Sequence, residues 1–195
     1  MTHWEKMLCG MLYEARDPHL CDMRVRARRI LNEYNRSHPD DAALRKRLLE
    51  ELLDKPTQGV TLEPPFHCDF GVNIKLGDGC FIHTGCVFLD CAPITIGKNC
   101  IIGPGVRLSG VTHPINPDLR VSHYEYGDAI VIGDNVLVEA GVTINPGVTV
   151  GDNAVITAGS VVTKDIPANA VAGGIPCRVV RFIGQEDREE MKIRY

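Results

Sequence analysis

The stretch "LSGVTHPINPDLRVSHYEYGDAI", Leu108 to Ile130, gathers two histidines, two prolines and two tyrosines. Histidine is the side chain that most readily accepts a proton near neutral pH, and a neutral imidazole is the usual base for activating a hydroxyl, whose own pKa lies far above that range. His113, in "THPI" where this stretch begins, is well placed for that task. On its residue type alone it could equally be a surface or hydrogen-bonded histidine. The eight cysteines (Cys9, Cys21, Cys68, Cys80, Cys86, Cys91, Cys100, Cys177) show no CxxC pair and no zinc spacing. Several stand where a small apolar residue would, so they read as reduced core thiols of a cytoplasmic protein.

The elements that must hold such a histidine are legible in the apolar pattern. Ile132, Val138, Ile144, Val150, Ile156 and Val162 return every six residues, and the residues four further on (Val136, Val142, Val148, Ala154, Ser160, Ile166) are all small or aliphatic. A weaker copy, Leu76 and Ile82, then Ile96, Ile102 and Leu108, slips by two residues around "CAPIT". A helix needs an apolar residue every three or four positions and a half-exposed strand every two; one in six fits short strands joined by Gly, Asn and Asp turns, coiling as successive sides of a solenoid. The fold class is therefore mainly β, a hexapeptide-repeat β-helix over about residues 60 to 180, with Ile132, Val138, Ile144, Val150 and Ile156 expected in one interior file. The stretch after Leu108 breaks the register and must leave the coil as a loop, a place where repeat folds commonly carry function.

Residues 1 to 55 read as helical, with Leu44, Leu48, Leu49, Leu52 and Leu53 spaced at threes and fours behind Asp40 or Asp41 as cap. An earlier helix through "DMRVRARRILNEYN" turns Val25, Ile30 and Leu31 to one side, with basic side chains around the rest. The expected organisation is a helical segment at 1–58, a β-helix at 59–183 with an excursion at 109–129, and a tail at 184–195. With 44% hydrophobic residues and a net charge of −4, the chain offers no basic surplus for nucleic acid. It has no apolar run near the ~18 residues of a membrane span and no secretory signal pattern.

In order and spacing, "KMLCGMLYEARDP", "RVRARRILNEYN", "EPPFHCDFGVNI", "VTHPINPDLR" and "INPGVTVGDNAVITAGSVVTKDIPANAVAGGIPCRVV" resemble the maltose and galactoside O-acetyltransferases, over almost the whole chain. The resemblance implies a left-handed parallel β-helix, a homotrimer with active sites between subunits, and acetyl transfer from acetyl-CoA to a hydroxyl of a sugar or sugar-like acceptor, with no metal. It implies His113 as general base. The positions matching acceptor-binding residues are Arg24, Asp69, Phe81, His83, Asp90 or its neighbour Cys91, and Glu125. Those matching acetyl-CoA-binding residues are Ala140, Ala158, Thr163, Lys164, Arg178 and Arg181.

Three positions depart from the family pattern. His83 replaces a catalytic-site asparagine, Leu137 replaces a tryptophan beside the pantetheine channel, and Glu139 replaces a glycine near it. They leave open a second reading, a trimeric β-helix that has lost turnover. A third, a metal-dependent carbonic anhydrase on the same scaffold, would need three histidines converging on zinc, and His83, His113 and His123 are the histidines counted in the repeat region.

Overall fold

The computed structural model describes residues 1–187, so the part of the expected tail beyond residue 187 lies outside the described residues. Strands of two to four residues lie along three faces of a solenoid. The first face carries Thr61–Leu62, Phe81–Ile82, Ile101–Ile102, Leu137–Val138, Val155–Ile156 and Ala170–Gly173. The second carries His67–Cys68, Val87–Leu89, Arg107–Ser109, Thr143–Ile144 and Val161–Val162, and the third Ile74–Leu76, Ile94–Ile96, Ile130–Ile132 and Thr149–Val150. Neighbours within these faces are parallel: Ile132 pairs beside Val150, Val138 beside Ile156, and Ile144 beside Val162. The strand Arg178–Phe182 closes the first face antiparallel to Ala170–Gly173.

Three hexads therefore make one coil, and this corrects the expectation of a single interior file. Ile132, Val138, Ile144, Val150 and Ile156 are all interior, at 1% exposure or less, but they divide among three files because each successive hexad lies on the next face. The residues four further on, Val136 through Ile166, are also buried. At the turns, Asn99, Asn135, Asn153 and Asn169 adopt left-handed backbone with φ of 53° to 60°, a conformation asparagine tolerates better than most side chains. Their amides join coil to coil, Asn135 Nδ2 to Asn153 Oδ1 at 3.1 Å and Asn153 Nδ2 to Asn169 Oδ1 at 3.0 Å.

The N-terminal part is helical but interrupted. Helix α1 (His3–Leu8) is followed by the strand Tyr13–Glu14, then α2 (Pro18–Tyr34) and α3 (Ala42–Leu53). Asp41 caps α3, accepting from the Leu44 amide at 3.0 Å, and Asp17 caps α2, which begins earlier than the sequence pattern suggested. Ala27, Ile30, Leu31 and Tyr34 of α2 are buried and Val25, expected on the buried side, is 63% exposed, because the helical period sets it roughly 140° around the axis from Ile30 and roughly 120° from Leu31. Leu48, Leu49, Leu52 and Leu53 of α3 join one core with Leu62, Phe66 and the coil interior. Asn35, just past α2, clamps this junction by exchanging two 2.9 Å hydrogen bonds with the backbone of Phe66. A smaller core of Met7, Tyr13, Leu20, Phe70 and Cys91 attaches α1 and the start of α2 to the side of the coil.

Candidate active site

The excursion is an ordered lobe with a closed neck. Thr112 and Tyr126 exchange both backbone hydrogen bonds, at 2.7 and 3.1 Å, as the chain departs and returns. Gly127 packs against Gly110 so closely that a Cβ there would stand 1.9 Å from the Gly110 carbonyl oxygen. Between the two arms runs a short helix, α4 (Pro117–Val121), capped by Asn116. The returning arm, Tyr124–Glu125, pairs antiparallel with Tyr13–Glu14, setting Glu125 opposite Tyr13. The Ala15 amide extends this pairing by donating to the His123 carbonyl at 3.0 Å. The N-terminal segment thus holds the lobe that the hexad register expelled.

Beneath this lobe lies an open cavity of about 560 Å³. It brings together His113, Arg24, Asp69, Cys91 and Glu125 from the sequence-based set. Arg16, Arg28, Arg120 and His123 also line it, although the sequence did not single them out for this site. Nδ1 of His113 is 4.0 Å from Oε1 of Glu125, and the imidazole side chain is 56% exposed while the carboxylate is 20% exposed. The other carboxylate oxygen, Oε2, accepts a 2.8 Å hydrogen bond from the Tyr13 hydroxyl. Burial first, then Cys91 and Glu125, push the Tyr13 pKa far up, so the hydroxyl keeps its proton and remains a donor. Tyr13 is fully buried and had no signal in the sequence pattern, since it meets Glu125 across 112 positions.

Asp69 and its neighbours form the floor. The Cys91 thiol, pushed up in pKa by burial and by Asp69, stays protonated and donates to Asp69 Oδ2 at 3.5 Å. Burial likewise raises the Asp69 pKa, against the opposing pull of Cys91, Arg24 and Arg28. Of the alternatives Asp90 and Cys91, it is Cys91 that lines the cavity. Asp90 is fully buried behind it, where Oδ1 accepts from the amides of Asp69 (3.0 Å) and Phe70 (2.9 Å) and Oδ2 has no hydrogen-bond partner among the described residues. Burial lifts the Asp90 pKa to about 6. The two-residue slip around "CAPIT" is what carries Asp90 and Cys91 out of the hexad pattern and into this floor. Arg24 is held by hydrogen bonding to the Ala15 carbonyl and by lying 5.6 Å over the Phe70 ring.

The remaining expected residues lie elsewhere on the subunit. Phe81 and His83 are on the first face, their rings 5.7 Å apart and edge-on, with His83 exposed and its Nδ1 accepting from the Thr84 amide at 2.8 Å. Ala140 and Ala158 occupy consecutive turns of the coil, joined by the Gly159 amide donating to Ala140 at 2.9 Å. Thr163 and Lys164 are exposed just after Val161–Val162, and Arg178 is exposed at the start of the closing strand. Arg181 makes a two-pronged ion pair with Asp187, both contacts at 2.7 Å, which holds the Asp187 pKa down to about 2. Glu139 accepts from the Ala158 amide at 2.8 Å, a stapling of adjacent coils that accounts for a carboxylate at this position. A fourth coil histidine, His67, begins the strand His67–Cys68, which amends the count of three. Among the described residues, no three His, Cys, Asp or Glu side chains are grouped as a metal site would require.

Comparison with known proteins matches the two regions separately and the chain as a whole. Residues 6–57 match the maltose acetyltransferase hexapeptide capping motif, and residues 129–164 match the bacterial transferase hexapeptide of six repeats. The galactoside O-acetyltransferase of Escherichia coli (strain K12) is 40% identical over 188 residues, covering 96% of this chain and 93% of that one. The chain belongs to the maltose and galactoside O-acetyltransferase family. Within this family, the crystal structure of a maltose O-acetyltransferase from Clostridium difficile 630 superposes with a TM-score of 0.92 at 43% identity, covering 94% of this chain and 98% of that one. A galactoside acetyltransferase in complex with coenzyme A also gives a TM-score of 0.92, at 39% identity, with 96% and 94% covered. As an O-acetyltransferase of this family the chain uses the capping segment, residues 6–57, for a purpose visible in its own contacts: Tyr13 and Arg24, both within it, are fastened to the cavity.

Proposed function

We propose that this protein transfers an acetyl group from acetyl-CoA to a hydroxyl of a sugar or sugar-like acceptor, with His113 as general base. The observation that carries the reading is the alignment of Tyr13, Glu125 and His113 at the edge of one open cavity. His113 takes the proton of the acceptor hydroxyl, and Glu125, fixed by Tyr13, faces the positive charge the imidazole then acquires. Asp69 accepts hydrogen bonds from further acceptor hydroxyls, and Arg24 donates them. Acetyl-CoA supplies the activated acetyl thioester. The chain's residues suit it in charge, because Lys164 and Arg178 are exposed cations able to meet phosphates. Small side chains at Ala140 and Ala158 keep the adjacent turns open.

The reading includes a homotrimer with sites between subunits. Its support is the separation of the expected acceptor residues: His113, Arg24, Asp69, Cys91 and Glu125 share a cavity, while Phe81 and His83 lie on the first face. A neighbouring copy presenting that face would complete the set, and light scattering at three chain masses is the expected result. Eight unpaired cysteines suit a reducing compartment, in keeping with a cytoplasmic location, and no helix among the described residues is long and apolar enough to cross a membrane.

The test is acetyl transfer to a panel of glycosides, followed by release of free CoA. His113→Ala is expected to lower kcat by about 10² to 10⁴, with little change in acetyl-CoA affinity. Full turnover in that variant would refute the assignment.

A further inference from the structure

A second hollow, of about 470 Å³, adjoins the His113 cavity between α2 and the second face, and the two share Arg28, Asp69 and Leu89 as lining. Its wall includes Asn32, Asn35, Arg36 and His67. Asn35 is committed on both sides of its amide to the backbone of Phe66. Arg28 and Arg36 are exposed, and the guanidinium of neither makes a hydrogen bond or ion pair with another described residue.

The balance of charge around the joined hollows is uneven. Arg16, Arg24, Arg28 and Arg120 line the His113 cavity and Arg36 the second hollow, against two carboxylates, Asp69 and Glu125. Glu125 is engaged by Tyr13 and His113, and Asp69 by the Cys91 thiol. Arg24 and Arg120 are oriented by backbone carbonyls, which fix a guanidinium without neutralising it. A neutral sugar offers nothing that balances this excess, whereas a carboxylate, sulfate or phosphate meets a guanidinium with paired hydrogen bonds.

Resting on the reading of the His113 cavity as an acceptor site, we propose that the acceptor carries an anionic substituent beside its sugar ring. The hydroxyl-bearing ring occupies the His113 cavity, and the anionic group enters the second hollow, where Arg28 and Arg36 receive it. Arg28 stands at the junction and so reads both the ring and its charged extension.

The experiment compares two acceptors of nearly equal shape, 4-carboxyphenyl and 4-nitrophenyl β-D-galactoside, by CoA release in the intact protein. The expected kcat/KM ratio favours the carboxylate by about tenfold or more, the span of a charge-assisted hydrogen bond, and shrinks as salt is added. Arg36→Gln and Arg28→Gln are each expected to bring the ratio toward one. A wild-type ratio near one, with the nitrophenyl glycoside acetylated, overturns the anionic acceptor and leaves the acetyl-transfer reading standing. A ratio that survives Arg36→Gln while the KM for acetyl-CoA rises also overturns it, because the arginines then serve the donor. If neither glycoside releases CoA, the acetyl-transfer reading falls. Calorimetry with the 4-carboxyphenyl glycoside then decides the inference: binding lost in Arg36→Gln supports it, and no binding overturns it.

Discussion

Replacing Gly127 by alanine tests whether the neck of the excursion, rather than the histidine alone, sets the activity. The added Cβ would stand 1.9 Å from the Gly110 carbonyl oxygen and 2.9 Å from the Val111 Cα, both backbone atoms that no side-chain rotation can move aside. Ordinary heavy-atom contact is ~3.5 Å, so the two arms must separate by roughly 1.5 Å. Thr112 and Tyr126 lose their paired backbone hydrogen bonds, and the residues just beyond them, His113 on one arm and Glu125 on the other, are drawn apart from their present 4.0 Å. Misplacement by about 1 Å commonly costs on the order of 10²-fold in rate. Losing two backbone hydrogen bonds costs about 1 to 3 kcal/mol of stability, a fall in Tm of a few degrees for a chain of this size. CoA release measures kcat, and circular dichroism with thermal melting shows that the coil persists. Gly105→Ala is the control: its φ of 69° also strains an alanine, but nothing lies within 4 Å of the added Cβ, so a similar loss of stability should leave kcat nearly unchanged. A folded Gly127→Ala protein with wild-type kcat would refute the argument that the neck positions the site.

Other consequences can be checked by equilibrium measurements. Ile144→Asp places an unpaired carboxylate at a fully buried coil position, costing several kcal/mol, so cooperative unfolding in urea should be lost or shifted to much lower denaturant; a wild-type midpoint would contradict the interior placement. Asp90, with a folded pKa raised from 3.8 to about 6, favours the folded state fully only below its unfolded pKa, and that contribution disappears as pH rises through about 6. Asp90→Asn should therefore gain on the wild type by about 2 kcal/mol between pH 4 and pH 7 in urea unfolding, and a pH-independent difference would refute the assignment.

The coil was legible because its code is local. One aliphatic residue in six, with asparagine and glycine at turns that need left-handed backbone, states the repeat wherever it occurs, and Ile132 through Val162 are interior as that pattern requires. His113 could be singled out because it sits where the register fails. What the pattern could not state was the division into three files, which depends on how many hexads close one coil; the exposure of Val25, by contrast, follows from the helical period, which sets it roughly 140° from Ile30. The site was less legible still. Glu125 is poised by Tyr13, Asp69 by Asp90 and Cys91, and the arginines of two helical turns meet the excursion only after the capping segment folds back onto the coil. Those partners lie far apart in the chain and share no periodicity, so no local signal links them. Sequence alone determined the repeating backbone and the point at which it opens; only the tertiary structure decided which side chains meet there, because burial of Tyr13 and Asp90 and the pairing of Tyr13–Glu14 with Tyr124–Glu125 are properties of the packed chain.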